Sequence, residues 1–97
     1  MILLSSNYKL LFSKIALKQF EYLDKTLQIR IKKSLAFLVK NPFEKQSGAD
    51  IKYLTGFDDP KLYRLRVGDY RIIYTVETKN IKITKIGKRG NVYFFLD

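Results

Sequence analysis

Apolar side chains return along this chain with two different periods, helical in the first half and strand-like in the second. The stretch NYKLLF, residues 7–12, alternates with Tyr8, Leu10 and Phe12 on one side, and predicts a short strand. Ser13 then offers a side-chain oxygen for a helix N-cap. Beyond it Ala16, Phe20, Leu23 and Leu27 recur at helical spacing. A second helix is predicted from about Thr26, which can cap it, with Ile31, Leu35, Leu38 and Val39 on one stripe. It should end at Asn41-Pro42, because proline disfavours the helical conformation of the residue before it. The opposite faces hold Lys25, Arg30, Lys32, Lys33 and Lys40 and read as solvated helix surface.

Residues 43–60 lose this order. Gly48, Gly56 and Pro60 among polar and acidic side chains predict a long connection, with one turn of order around 51–54. Strand-type sequence follows at 61–67, 70–77 and 80–87, with a short piece at 92–96. The order β-α-α-β-β-β, with a possible final edge strand, predicts one α+β domain over residues 1–97. In it, an N-terminal strand and a helical hairpin pack on one face of a twisted antiparallel sheet.

The pair Gly68-Asp69 fits a two-residue hairpin turn, since glycine supplies the positive φ that such turns need. That turn fixes the register: Val67 opposite Tyr70, Arg66 opposite Arg71, Leu65 opposite Ile72, Arg64 opposite Ile73. Leu65, Val67, Tyr70, Ile72 and Tyr74 share one face, suited to packing under helices. Arg64, Arg66 and Arg71 share the other. Like charges facing each other across strands destabilise a sheet by a few tenths to about 1 kcal/mol, so these arginines call for an anion. Asp69 in the turn, or Asp58 or Asp59 before it, is available as an internal counter-ion. On the next strand Ile81 and Ile83 keep the core period but Ile86 breaks it. A bulge near Thr84-Lys85 restores it and brings Lys85, Gly87 and Arg89 to the arginine face. Lys88, Arg89 and Tyr93 then fall at its rim. The expected result is a concave face with four guanidiniums around one anion pocket.

Composition sharpens the picture. The hydrophobic fraction of 46% and aromatic fraction of 14% indicate an ordered globule rather than a basic tail. Without cysteine there is neither disulfide nor thiolate metal site. MILL is a short apolar run without a basic leader, and no stretch approaches the ~20 apolar residues that span a bilayer, so a cytoplasmic location and no membrane partner are expected. Nineteen Lys and Arg against nine Asp and Glu give +10, a field that attracts polyanions. Nucleic acid, an anionic membrane surface and an acidic protein all fit that field.

Arginine grips phosphate with a planar fork and stays charged at any working pH. Tyr63, Tyr74 and Tyr93 are candidates for stacking on bases, although the first two also suit the core. Histidine, the usual acid–base residue near neutrality, is absent. The acidic residues are scattered, so neither a metal site nor a cofactor is expected. For a proton acceptor there remain lysines whose pKa neighbouring positive charge would lower: Lys61, Lys85, Lys88 and Lys52.

The combination of LTG at 54–56, YRLRVGDYRIIY at 63–74 and GKRGNVY at 87–93 resembles the RelE/ParE superfamily of bacterial and archaeal toxins, over nearly the whole chain. The resemblance implies the toxin of a type II toxin–antitoxin system. RelE-type members are metal-independent endonucleases that cut messenger RNA in the ribosomal A site. The 2′-hydroxyl attacks its own phosphate, and an antitoxin that wraps the toxin holds it inactive. ParE-type members share the fold and target DNA gyrase. By position, Arg71 is expected to hold the scissile phosphate, Arg89 to stabilise its charge, and Tyr93 to orient the nucleotide or assist proton transfer. Two family lysines, one suspected as the base, are replaced here by Leu62 and Arg64, which leaves the base unassigned. Arg64 joins the expected catalytic set, with Arg66, Lys52, Lys61, Lys85 and Lys88 as phosphate contacts. The partners implied are a ribosome with its mRNA and an acidic, RelB-like antitoxin in a hetero-oligomer. A gyrase inhibitor and a non-catalytic basic RNA-binding module are the alternatives.

Overall fold

The computed structural model describes residues 7–58 and 60–90. Strand β1 (Lys9–Phe12) runs directly into helix α1 (Lys14–Glu21), and α2 (Lys25–Leu38) follows after a short break. Four strands complete the order: β2 (Asp50–Asp58), β3 (Lys61–Val67), β4 (Tyr70–Glu77) and β5 (Asn80–Lys88). The expected strand at 92–96 lies outside the described residues.

Ser13 caps α1 as its sequence position suggests, its hydroxyl oxygen accepting the Ala16 N–H at 3.0 Å. The second cap differs from expectation. Asp24 rather than Thr26 starts α2, accepting the Leu27 N–H at 2.9 Å, so Leu27 belongs to the second helix. Gln28 fixes this choice by donating its amide to the carbonyls of Phe20 and Leu23 at 3.0 and 3.1 Å, which closes α1 early. The helix ends at Leu38, just before Asn41-Pro42.

The sheet order is β1-β5-β4-β3-β2. β1 lies parallel to β5 and every other pair is antiparallel, so the sheet is mixed rather than wholly antiparallel. The helical hairpin carries the chain from one edge strand to the other. That second edge, β2, replaces half of the long connection expected at 43–60. Gly56 at φ 88° and a register shift between Leu54 and Asp58 interrupt its alternation, an irregularity common at sheet edges.

Both helices cover one face. Ala16 from α1 and Ile31, Leu35 and Leu38 from α2 meet Leu65, Val67, Ile72, Tyr74, Ile81, Ile83 and Ile86 from the sheet. Burial of this set provides the main driving force for the fold. Tyr63 and Tyr74 stack at 5.5 Å within this layer, and the Tyr74 hydroxyl donates to the Pro42 carbonyl at 2.6 Å. The opposite face of the sheet has no helix over it among the described residues. Its floor is the small apolar contact of Ile73, Leu62 and Leu54.

Candidate functional site

The open face is laid out in rows by strand register. Asp50, Arg66, Arg71 and Gly87 form one row, and Lys52, Arg64, Ile73 and Lys85 the next. Gly68 at φ 59° makes the tight turn that sets the β3–β4 register, from Val67 opposite Tyr70 to Tyr63 opposite Tyr74. A bulge sets the β4–β5 register: Ile73 faces Lys85 and Tyr74 faces Ile83, which leaves Thr84 as the extra residue. Its hydroxyl donates to the Ile73 carbonyl at 3.1 Å. The expected register and the expected irregularity therefore both occur.

The expected single pocket of four guanidiniums does not. One carboxylate divides them. Asp50 accepts from Arg66 Nε at 2.8 Å through one oxygen and from Arg64 Nη2 at 3.2 Å through the other, with Lys45 Nζ at 3.9 Å. Among the described residues the counter-ion thus comes from β2, where Asp50 lies directly opposite Arg66. Asp69 forms no ion pair among the described residues, and Asp59 lies outside them. The Arg64 side chain is only 14% exposed, and its Nε has no hydrogen-bond partner among the described residues. From that position Arg64 does not present a fork to solvent.

Arg71 and Arg89 make a second group at the turn. Arg71 is buried, and its Nη1 donates to the carbonyls of Gly68 and Tyr70 at 3.1 Å each. Arg89 is exposed, with its backbone N–H donating to the Asp69 carbonyl at 2.7 Å. Neither guanidinium meets a carboxylate among the described residues, and Gly87 contributes no side chain opposite Arg71.

The lysines separate by face. Lys52 and Lys85 flank Arg64 and Ile73 on the open side. Lys88, expected at the rim, faces Tyr70 at the very end of β5 and so lies toward the helix side there. Lys61 alternates with Tyr63 and Leu65 onto the same side and faces Asp58. It stands six residues from Val67, about 20 Å from the turn at ~3.3 Å per residue, so it does not join the site. Tyr63 and Tyr74 are committed to the core and unavailable to bases. Tyr93 lies outside the described residues. Around the end of the sheet the cationic surface continues: Arg30, Lys33, Lys45 and Arg66 line an open pocket of about 570 Å³, where Arg30 lies against Gly68.

Sequence reasoning missed two residues, Asp50 and Gln19. Gln19 accepts the Ile86 backbone N–H at 2.7 Å and holds β5 just past the bulge. Only the alternation of Ile51 and Tyr53 hinted at the strand that delivers Asp50. Nothing local marks Gln19.

The helical hairpin thus lies on one face of a five-stranded mixed sheet whose other face is rich in arginine. Residues 10–93 match the family model described as the ParE toxin of type II toxin–antitoxin system, parDE, and the chain belongs to that family. Among solved structures, it resembles the archaeal RelE–RelB complex from Pyrococcus horikoshii OT3, at 35% identity over 87% of this chain and 97% of that one, with a TM-score of 0.73. The RelB–RelE antitoxin–toxin complex from Methanococcus jannaschii matches at 25% identity, covering 90% and 99% of the two chains, with a TM-score of 0.70. The isolated E. coli RelE toxin matches at 27% identity over 90% and 92%, with a TM-score of 0.68. Among proteins of curated function, none matches the chain in sequence.

Proposed function

We propose that this toxin is a ribosome-dependent, metal-independent endonuclease acting on messenger RNA. The observation that supports this reading best is the placement of Arg71 and Arg89 at the hairpin end, beside Gly87 and without a facing carboxylate among the described residues. In the reaction the 2′-oxygen bonds to the adjacent phosphorus and the bond from phosphorus to the 5′-oxygen breaks. A cyclic phosphate and a 5′-hydroxyl result. Arg71 holds the phosphate, Arg89 stabilises the charge that builds on its oxygens, and Tyr93 orients the nucleotide. Such electrostatic stabilisation is commonly the largest catalytic term. Of the lysine bases considered, Lys52 and Lys85 share the open face with Arg71, which favours them over Lys61 and Lys88. The ribosome supplies the remaining positioning.

The partner that restrains this activity is an acidic antitoxin. The net charge of +10 favours it, and so does an apolar groove of about 380 Å³ between the helices and β1, lined by Leu10, Phe12, Leu17, Phe20, Leu35 and Val39. An amphipathic acidic segment suits that groove and its basic surroundings. The test of the nuclease reading is to map the 5′ ends of transcripts in cells expressing the chain. Cuts inside translated codons that require active ribosomes are expected, and their absence rejects the reading.

A second reading rests on the family model itself, which is that of ParE. A gyrase inhibitor has no need of Arg89. Its toxicity would survive Arg89→Ala and would come with DNA damage instead of cut transcripts.

A further inference from the structure

We infer that Asp50 is a positioning residue of the arginine face, holding Arg64 and Arg66 in the geometry from which the open face handles phosphate. The inference rests on the nuclease reading for its consequence and on strand geometry for its cause. Asp50 uses its two oxygens separately, one toward each guanidinium, at 2.8 Å to Arg66 Nε and 3.2 Å to Arg64 Nη2. Arg66 is gripped at the nitrogen nearest its own chain. Its terminal nitrogens therefore remain outward, consistent with a side chain that is 51% exposed.

The row explains the direction of the pull. Arg66 stands between Asp50 on β2 and Arg71 on β4. Attraction from one side and like-charge repulsion from the other act in the same sense, and both keep Arg66 away from Arg71. Arg66 is thereby kept from folding over Arg71, whose other neighbour in the row is Gly87. Arg64 depends on Asp50 more completely, because this carboxylate is its only side-chain hydrogen-bond partner among the described residues. A nearly buried guanidinium deprived of its counter-charge must move or drag its strand. Among the described residues one carboxylate serves Arg64, Arg66 and Lys45 while Arg71 meets none, so the face is not neutralised. Phosphate can bind without displacing it, so Asp50 acts as a fixed support and not as a competitor for the site.

Three variants and two readouts test this. Single-turnover cleavage of mRNA on programmed ribosomes is measured for wild type, Asp50→Asn, Asp50→Glu and the exposed control Glu21→Gln, which makes the same charge change on α1. Asp50→Asn should lower kcat roughly tenfold, as small misplacements of positioning groups do. Its KM should be unchanged or lower, because the face gains one net positive charge. Asp50→Glu should recover part of the rate and Glu21→Gln should match wild type. The second readout is the Arg66 Nε–H resonance of the free toxin, slow to exchange in wild type and lost in Asp50→Asn. An unchanged or faster kcat in Asp50→Asn, or a loss equalled by Glu21→Gln, overturns the inference. So does an Arg66 resonance indifferent to the substitution. A wild type that cuts no mRNA rejects the nuclease reading instead, and the resonance alone then decides whether Asp50 holds Arg66.

Discussion

The backbone N–H of Ile86 donates to the side-chain oxygen of Gln19 at 2.7 Å, joining α1 to the far half of β5. The bond exists because β1 stops at Phe12, opposite Ile83. Beyond that point β5 keeps β4 on one side but has no strand on its β1 side among the described residues, and its backbone groups there need partners. α1 supplies them. Ser13 donates its hydroxyl to the Thr84 carbonyl at 3.0 Å, and Gln19 takes the Ile86 N–H. The bulge that brings Lys85 and Gly87 to the open face is therefore pinned from the helix layer.

Gln19→Ala should leave the Ile86 N–H without its acceptor and cost about 1–3 kcal/mol, the penalty for an unsatisfied buried donor. Urea unfolding measures the loss, and hydrogen exchange at Ile86 should accelerate along with it. Gln19→Glu keeps an acceptor and should lose less. A Gln19→Ala protein with wild-type stability and protection at Ile86 would show that solvent replaces the side chain freely.

Gly68 is constrained twice. Its φ of 59° suits glycine, and a Cβ there would lie 3.2 Å from the Arg30 guanidinium. Gly68→Ala should cost about 1 kcal/mol or slightly more from backbone strain together with the displaced arginine. Combining it with Arg30→Ala removes the second contribution, so the double variant should lose less than the sum of the singles. Strict additivity in thermal or urea unfolding would mean that Arg30 does not press on the turn.

Tyr74 gives the fold an alkaline limit. Burial first, and then the neighbouring Tyr63 phenol, push its hydroxyl well above the ordinary value near 10, with Arg64 opposing. The folded chain thus keeps a proton that the unfolded chain releases. The corresponding stability is complete below pH ~10 and declines as pH rises from there, by about 1.4 kcal/mol per unit. Tyr74→Phe should cost about 1 kcal/mol at pH 7 through the lost bond to the Pro42 carbonyl. Above pH ~10 the gap to wild type should close, because phenylalanine has no proton to lose. Parallel stability curves from pH 7 to 11 would contradict this account.

The hairpin register and the Thr84 bulge were legible because each is written in a few adjacent residues. Gly68-Asp69 dictates the turn, and Ile81, Ile83 and Ile86 display the break in period directly. Asp50 was not legible for the opposite reason. Its role depends on pairing with Arg66 across the edge of the sheet, and Gly56 and Pro60 give its strand the look of a loop. The cap of α2 was ambiguous locally, since Asp24 and Thr26 are both competent. Gln28 settled it through carbonyls that become available only once α1 has ended. Pairwise charge logic predicted that the arginines need an anion, but proximity in sequence singled out Asp58, Asp59 and Asp69 and passed over Asp50.

Arg71 and Arg89 should separate under the same substitution. Arg71 is buried and ties the turn together through the Gly68 and Tyr70 carbonyls, so Arg71→Ala should lose both activity and about 1–3 kcal/mol of stability. Arg89 is exposed and, among the described residues, contributes to the turn through its backbone N–H, which alanine retains. Arg89→Ala should therefore unfold like wild type, within about 0.5 kcal/mol. If Arg89 meets charge that develops on the phosphate, its removal should lower cleavage by roughly 100-fold or more. Toxicity in growing cells and transcript 5′ ends read the activity, and urea unfolding reads the stability. An Arg89→Ala protein that folds normally and still cuts codons at the wild-type rate removes Arg89 from the reaction and leaves Arg71 as a structural residue of the hairpin.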